Sequence, residues 1–168
     1  MAATDLAARA ATMADASSIA TIYNQGIADR IGTFETEPRS VQQIEAWFDG
    51  QHPIVVVEEN GEVVAFASTS SYRSRPCYAG IAEFSVYVAR HRRGAGAGQV
   101  AMSALLAAAE TAGYWKLLSR IFPENTASRA LMARMGFHEV GIYQRHGKLD
   151  GVWRDCVIVE RLLGEAAG

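Results

Sequence analysis

A run of three alternating glycines, Arg93-Gly94-Ala95-Gly96-Ala97-Gly98, constrains this chain more than any other feature. It separates an alternating stretch, residues 80–89, from an alanine- and leucine-rich one, residues 99–112, that Gly113 ends. The first reads as a strand, with Glu83, Ser85 and Tyr87 on one face and Phe84, Val86 and Val88 on the other. The second reads as a helix. Small residues let a ligand approach the backbone closely. N–H groups at a helix start, aided by the helix dipole, attract negative charge. The flanking arginines add to it, and a pyrophosphate is the natural guest. The stretch also contains Gly96-x-Gly98-x-x-Ala101, a loose form of the dinucleotide-binding fingerprint. A site of that kind follows the first strand of a parallel βαβ unit, with its glycines tight against the strand. Here a hairpin precedes, and residues 89–93 intervene.

The other stretches alternate between helix and strand patterns. Residues 8–12 read as a short strand. Asp15 caps a stretch in which Ile19, Ile22, Tyr23 and Ile27 recur at helical spacing. Residues 31–39 form a polar, proline-ended connection. Ser40 caps a second helix with Val41, Ile44, Trp47 and Phe48 on one side, closed by Gly50. Residues 54–59 and 63–72 are strands around Asn60-Gly61, a tight-hairpin signal. Residues 116–122 are a strand, and 126–135 a helix ended by Gly136. Two last strands, 137–145 and 152–162, flank a turn at 147–151. The pattern predicts one α/β (α+β) domain over 8–163, with tails at 1–7 and 164–168.

Composition excludes several functions. A net charge of −2 over 168 residues argues against a dedicated nucleic-acid binder. No apolar run approaches the ~20 residues of a membrane helix, and residues 1–13 lack the pattern of a signal peptide. Two cysteines, Cys77 and Cys156, do not make a disulfide framework, so the chain reads as cytoplasmic. No His/Cys cluster has metal-ligand spacing, so no metal is expected. Of the 16 basic residues only Lys116 and Lys148 are lysine. Arginine suits bidentate contacts to anions, although a GC-rich genome produces the same bias.

The phrase Arg93 to Gly98, after the strand Glu83-Phe84-Ser85-Val86-Tyr87-Val88, resembles the GNAT acetyltransferase superfamily. So do Phe122-Pro123-Glu124-Asn125-Thr126-Ala127-Ser128 and Met135-Gly136-Phe137. Three further phrases narrow the resemblance: Gly32-Thr33-Phe34-Glu35-Thr36, Tyr72-Arg73-Ser74-Arg75, and the segment from His146 to Asp155. They resemble the phosphinothricin N-acetyltransferase branch, and within it the arsinothricin-resistance N-acetyltransferases. The resemblance implies a GNAT fold: a mixed, mostly antiparallel central sheet, splayed where acetyl-CoA enters, flanked by about four helices. It implies acetyl-CoA as co-substrate, no metal, a small-molecule amino-acid acceptor and a homodimer. The acceptor would be an anionic analogue of the arsinothricin, phosphinothricin or methionine sulfoximine type, acetylated on its α-amine to confer resistance.

Site residues follow. Val86, Tyr87 and Val88 would offer backbone groups to the pantetheine arm, as an added strand does. Arg93, Gly94, Gly96, Ala97 and Gly98 would hold the pyrophosphate. The resemblance also places Asn125 against the cofactor arm, while its position makes it a helix N-cap. Ser128, one turn on, would touch the same cofactor or face solvent. Glu83 is the candidate general base, unless it faces solvent or pairs with an arginine. Arg73 and Arg75, two apart in an extended chain, would clamp the acceptor's anionic groups. Phe34, Glu35 and His146 would border the acceptor, Phe34 serving equally as a core plug. Superfamily members carry a thiolate-protonating tyrosine where this chain has Met132, which leaves Tyr87, Tyr143 and His146 as candidates. Two other functions fit the same motifs: an acetyltransferase for protein N-termini or lysines, and an acyl-CoA-binding sensor, which would need no Glu83.

Overall fold

The computed structural model describes residues 5–168. Its frame is a seven-stranded sheet in the order β1-β2-β3-β4-β5-β7-β6. The strands are β1 (Leu6–Ala10), β2 (Ile54–Glu59), β3 (Glu62–Ser71), β4 (Ile81–Val88), β5 (Lys116–Ile121), β6 (His138–Leu149) and β7 (Val152–Leu162). Every neighbouring pair is antiparallel except β4 and β5, which run parallel. The mixed, mostly antiparallel sheet expected from the sequence is therefore the observed one.

Four α-helices cover it: α1 (Ala16–Asp29), α2 (Val41–Glu45), α3 (Ala97–Thr111) and α4 (Thr126–Arg134). The period-two alternation of β4 sorts its side chains between two cores. Ala82 and Phe84 join the core under α3, with Met102, Leu105 and Leu117. Tyr87 joins the core under α1, with Ile19, Tyr23 and Phe66. The apolar stripe of α1 read from its spacing, Ile19, Ile22, Tyr23 and Ile27, is buried as that spacing requires.

Several boundaries differ from the sequence reading, each for a local reason. Strand β1 starts at Leu6, not residue 8, because Leu6 pairs with Glu59 and packs on the α3 core. Residues 1–4 of the expected tail lie outside the described residues. The Asp15 side chain does not cap α1. It turns back to the Thr12 N–H and the Arg9 guanidinium, each 2.8 Å away, and Arg9 holds its carboxyl below the ordinary range. Ser40 does cap α2, in a reciprocal box with Gln43. That helix ends at Glu45, however, well before Gly50. The last hairpin is longer than expected. Its turn is Asp150-Gly151, and β6 continues to Leu149.

Tyr87 ties α1 to the sheet. Its ring lies edge-on to Tyr23 at 5.1 Å and stacked on Phe66 at 5.6 Å. A Cβ on Gly26 would sit 2.6 Å from the Tyr87 ring. Gly26→Ala should therefore destabilise the fold by about 1–3 kcal/mol, the usual cost of overpacking, seen as a lower denaturant midpoint with an unchanged m-value. An unchanged midpoint would show that α1 shifts freely against β4.

Candidate active site

Strands β4 and β5 pair only at Ile81, Ala82 and Glu83, opposite Lys116, Leu117 and Leu118. Beyond Glu83 they part. The Ser119 hydroxyl spans the start of the fork and donates to the Phe84 carbonyl at 2.8 Å. On its other edge β4 remains paired with β3 as far as Val88. The Ala89 N–H donates to Val64 there. Alternation then turns the N–H and C=O of Val86 and Val88 to the open side. The Val88 carbonyl accepts a long contact, 3.4 Å, from Arg93 Nε on that side.

A cavity of about 360 Å³ fills the fork. Its walls include Val86, Tyr87, Val88, Arg93, Gly94, Gly96, Gly98, Asn125 and Ser128, all anticipated from the sequence. Gly94 and Gly96 have φ of +82° and +92°, in the left-handed region that glycine enters without strain. A Cβ at either would meet nothing within 4 Å, so their space opens outward to a ligand. Gly98 serves differently: a Cβ there would lie 3.1 Å from the Leu131 side chain, so it lets α3 approach α4. Gly96 N-caps α3 without a side-chain bond. The first N–H groups of α3, Ala97 among them, therefore lack intrahelical partners, as helix starts do. They suit a pyrophosphate, and the open β4 edge suits an amide-bearing arm. The residues thus fit acetyl-CoA.

The basic loop is less positive than its sequence. Arg90 and Arg93 both bind Asp29, at the end of α1, at 2.8 Å. Arg92 pairs with Glu59 at 2.6 Å. Asn125 caps α4 through the Ser128 N–H at 3.1 Å and donates to the Ile31 carbonyl at 3.1 Å, so it is the N-cap and also a cavity wall. Met132 is buried at the wall.

A second chamber, about 280 Å³, adjoins the first. Phe34, Glu35, Glu83, Arg120, Phe122 and Cys156 line it, and Ser119, Arg120, Phe122, Ser85 and Tyr87 line both chambers. Phe34 meets Phe122 edge-on at 5.2 Å, so it is wall and plug at once. Glu35 is tied to Arg39 at 2.9 Å. Glu83 faces the chamber and accepts from Arg120 Nη2 at 3.0 Å. It therefore combines two of the expected placements, pointing into the site and pairing with an arginine. Burial pushes the Cys156 thiol up from its ordinary pKa.

Arg73, Arg75 and His146 stand outside both linings. The chain bends at Ser74 and Arg75 and enters a turn at Pro76, so the extended pair of arginines does not form. Tyr72, and more weakly Glu83, hold Arg73 still further toward its charged form. His146 and Tyr143 sit together at 4.8 Å on the exposed β6–β7 hairpin, where a Cβ on the next residue, Gly147, would lie 3.0 Å from the Phe34 ring. Tyr87 reaches both chambers, but burial pushes its phenol well above its ordinary pKa and makes it a weak acid. Sequence reasoning missed Ser119, Arg120, Gln99 and Arg134. A signal existed for Arg134, since Ala127, Leu131 and Arg134 recur at i, i+4 and i+7 on the cavity side of α4. Among the described residues no group of His, Cys, Asp and Glu could hold a metal, and no helix is long and apolar enough to cross a membrane.

Residues 19–137 match the model of the acetyltransferase (GNAT) family. A phosphinothricin N-acetyltransferase of Streptomyces coelicolor is 31% identical, over 89% of this chain and 91% of that one. An L-methionine sulfoximine/L-methionine sulfone acetyltransferase of Pseudomonas paraeruginosa is also 31% identical, over 90% and 91%. The crystal structure of a GNAT superfamily phosphinothricin acetyltransferase from Sinorhizobium meliloti, in complex with acetyl-CoA, superposes with a TM-score of 0.88. It is 30% identical, and the match covers 95% of this chain and 89% of that one.

The shared Asp29 gives this site a pH signature. Arg90 and then Arg93 lower its carboxyl from an ordinary 3.8 to about 2. A lowered folded-state value means the contribution to stability is present above the ordinary value and is lost as pH falls toward about 2. Carbon-detected NMR titration should find the Asp29 midpoint near 2, rising toward 3.8 in Arg90→Gln. A midpoint unmoved by that substitution would remove Arg90 as the main cause.

Proposed function

The chain belongs to the acetyltransferase (GNAT) family of acetyl-CoA-dependent acyltransferases, and from that premise we propose that it acetylates the α-amine of a small anionic amino-acid analogue. Phosphinothricin, methionine sulfoximine and arsinothricin are the acceptor type, and resistance to such compounds is the outcome. One observation carries the reading: Glu83 lines a small chamber that opens onto the unpaired edge of β4. The acceptors printed for the relatives, phosphinothricin and methionine sulfoximine, support the same class.

Acetyl-CoA supplies the acetyl group as a thioester. The N–H groups at the start of α3, with Arg93, Gly94, Gly96, Ala97 and Gly98, hold its pyrophosphate. Val86 and Val88 hold the pantetheine amides through backbone groups, and Asn125 and Ser128 border the arm. An ammonium has no lone pair, so the acceptor must lose a proton first. Glu83 takes it, directly or through one water. The Val86 N–H faces the thioester oxygen as it gains negative charge, a donor worth ~2.7–4 kcal/mol in comparable sites. A thiol of pKa ~8.5 leaves tolerably as thiolate, so the absence of a hydroxyl at Met132 is no obstacle. Phe34 and Glu35 border the acceptor. Arg73 and Arg75 read its second anionic group from the rim, a role supported by their place just after β3, whose Ser70 lines the chamber, and His146 flanks that rim. The exposed Val140, Ile142, Tyr143, Val152 and Trp153 of the β6–β7 hairpin support a homodimer through that face. Free Cys77 and Cys156 agree with a reducing cytoplasm.

Two substitutions test the reading. Glu83→Gln should lower turnover by roughly 10²–10⁴, with acetyl-CoA affinity retained and the acidic limb of the pH–rate profile lost. Turnover within a few-fold of the parent at every pH would assign the base elsewhere; a parent that binds acetyl-CoA without turning over any amine would favour the sensor function. Gly96→Val places a branched Cβ at a φ of +92° and over the phosphate site. Calorimetry should find acetyl-CoA bound at least ten-fold more weakly; equal affinity in a folded variant would move the pyrophosphate off this turn.

A further inference from the structure

Arg120 is the one Lys, Arg or His in the lining of the acceptor chamber among the described residues. It also lines the donor cavity, so its guanidinium stands where the two chambers meet. It lies on β5 beyond the last pair with β4, and its single side-chain hydrogen bond is to Glu83 at 3.0 Å. A guanidinium carries five donors, so most of its capacity is uncommitted. Its side chain is 45% exposed and that of Glu83 27%. A pair this exposed is weak and opens at little cost.

An α-amino acid carries an ammonium and a carboxylate on one carbon, with the charges on the order of 3 Å apart by bond geometry. Glu83 and Arg120 already hold one charge of each sign side by side, 3.0 Å apart, so parting them leaves an anion and a cation next to each other in the chamber. We propose that the Glu83–Arg120 pair is the receptor for the acceptor's zwitterionic head. The incoming ammonium goes to Glu83 and the α-carboxylate to Arg120, each replacing the other's partner. Arg120 is then the residue that selects free α-amino acids. It rejects amines whose neighbouring carboxyl is an amide, as in every protein N-terminus. The inference rests on the proposed function, since it assigns a role within that same chamber. It also separates two anion sites: Arg120 takes the α-carboxylate at the junction, and the rim arginines take the side-chain anion. With its carboxylate held at the junction, the acceptor presents its α-amine, and no more distant amine, to the open edge of β4.

The test compares L-methionine sulfone with its α-carboxamide as acceptors, using thiol release from acetyl-CoA in the parent, Arg120→Gln and Arg120→Lys. The parent should favour the free acid in kcat/KM by roughly 10–150-fold, the range for one charge-assisted hydrogen bond. Arg120→Gln should bring the two acceptors within a few-fold of each other, chiefly by raising KM for the free acid, with KM for acetyl-CoA unchanged. Arg120→Lys should restore part of the preference, since a point charge lacks the bidentate fork. A parent that discriminates and an Arg120→Gln variant that discriminates equally would overturn the role of Arg120 and leave the proposed function standing. A parent that acetylates neither acceptor nor any other free amino acid would overturn both. Circular dichroism of each variant separates a lost preference from a lost fold.

Discussion

The Ser119 hydroxyl donates to the Phe84 carbonyl where β4 and β5 stop pairing. The rest of the site depends on that place. Each strand is committed elsewhere. β4 stays paired with β3 from Ala82 to Val88, and β5 with β7 from Lys116 to Ile121. Their side chains are locked into opposite partners, Tyr87 under α1 and Leu117 under α3. A carbonyl left without a partner at the fork would cost about 1–3 kcal/mol. Ser119 removes that cost for Phe84 and lets the strands diverge. The price of divergence falls on Val86 and Val88, whose backbone groups on that edge lose their strand partner. Those same groups are what an extended, amide-bearing ligand needs.

Charge is arranged on the same economy. The glycine turn is surrounded by arginines, yet Asp29 binds two of them and Glu59 a third. These ties fix guanidinium positions on a short turn and reduce the positive field around it. Attraction for a phosphate then rests on the N–H groups at the start of α3, which are fixed by the helix itself. In the neighbouring chamber Glu83 and Arg120 neutralise each other. The chamber therefore presents paired charges rather than a net field, a pattern suited to a zwitterion more than to a simple anion.

The donor half of the site was legible in the sequence because it is made of backbone. A strand, a glycine turn and a helix start leave local signatures, and Val86, Gly96 and Asn125 stand where those signatures put them. The hairpin at Asn60-Gly61 and the capping box of Ser40 were legible for the same reason. The acceptor half was less so. Phe34 and Glu83 reach it as anticipated, but Arg120 and Ser119 gain their importance from the parting of two strands, which no local pattern announces. Arg73 and Arg75 show the converse. Their spacing implied an extended clamp, but the chain bends at Ser74 and Arg75, and neither arginine is in the wall of either chamber. Helix α2 stops early for a related reason: Trp47 packs its ring against Tyr23 and Phe66, and that tertiary contact rather than Gly50 determines the local path.

The two halves also differ in how they tolerate change. Moving the donor half means moving β4, and Tyr87 couples β4 to α1 through Gly26 and to the acceptor loop through Gly32. The acceptor half is built from side chains on four separate elements. Phe34 comes from the loop after α1, Glu83 from β4, Arg120 from β5 and Cys156 from β7. A substitution at Phe34, packed on Phe122 and close to Gly147, alters the chamber without disturbing a strand pair. On the proposed function, acceptor preference can therefore change one side chain at a time, while thioester binding stays fixed in the sheet. The Glu83–Arg120 pair is the exception within that half. Both side chains are partly exposed, so either can be replaced without unfolding the sheet, but each holds the other in the chamber, and replacing one frees its partner to move.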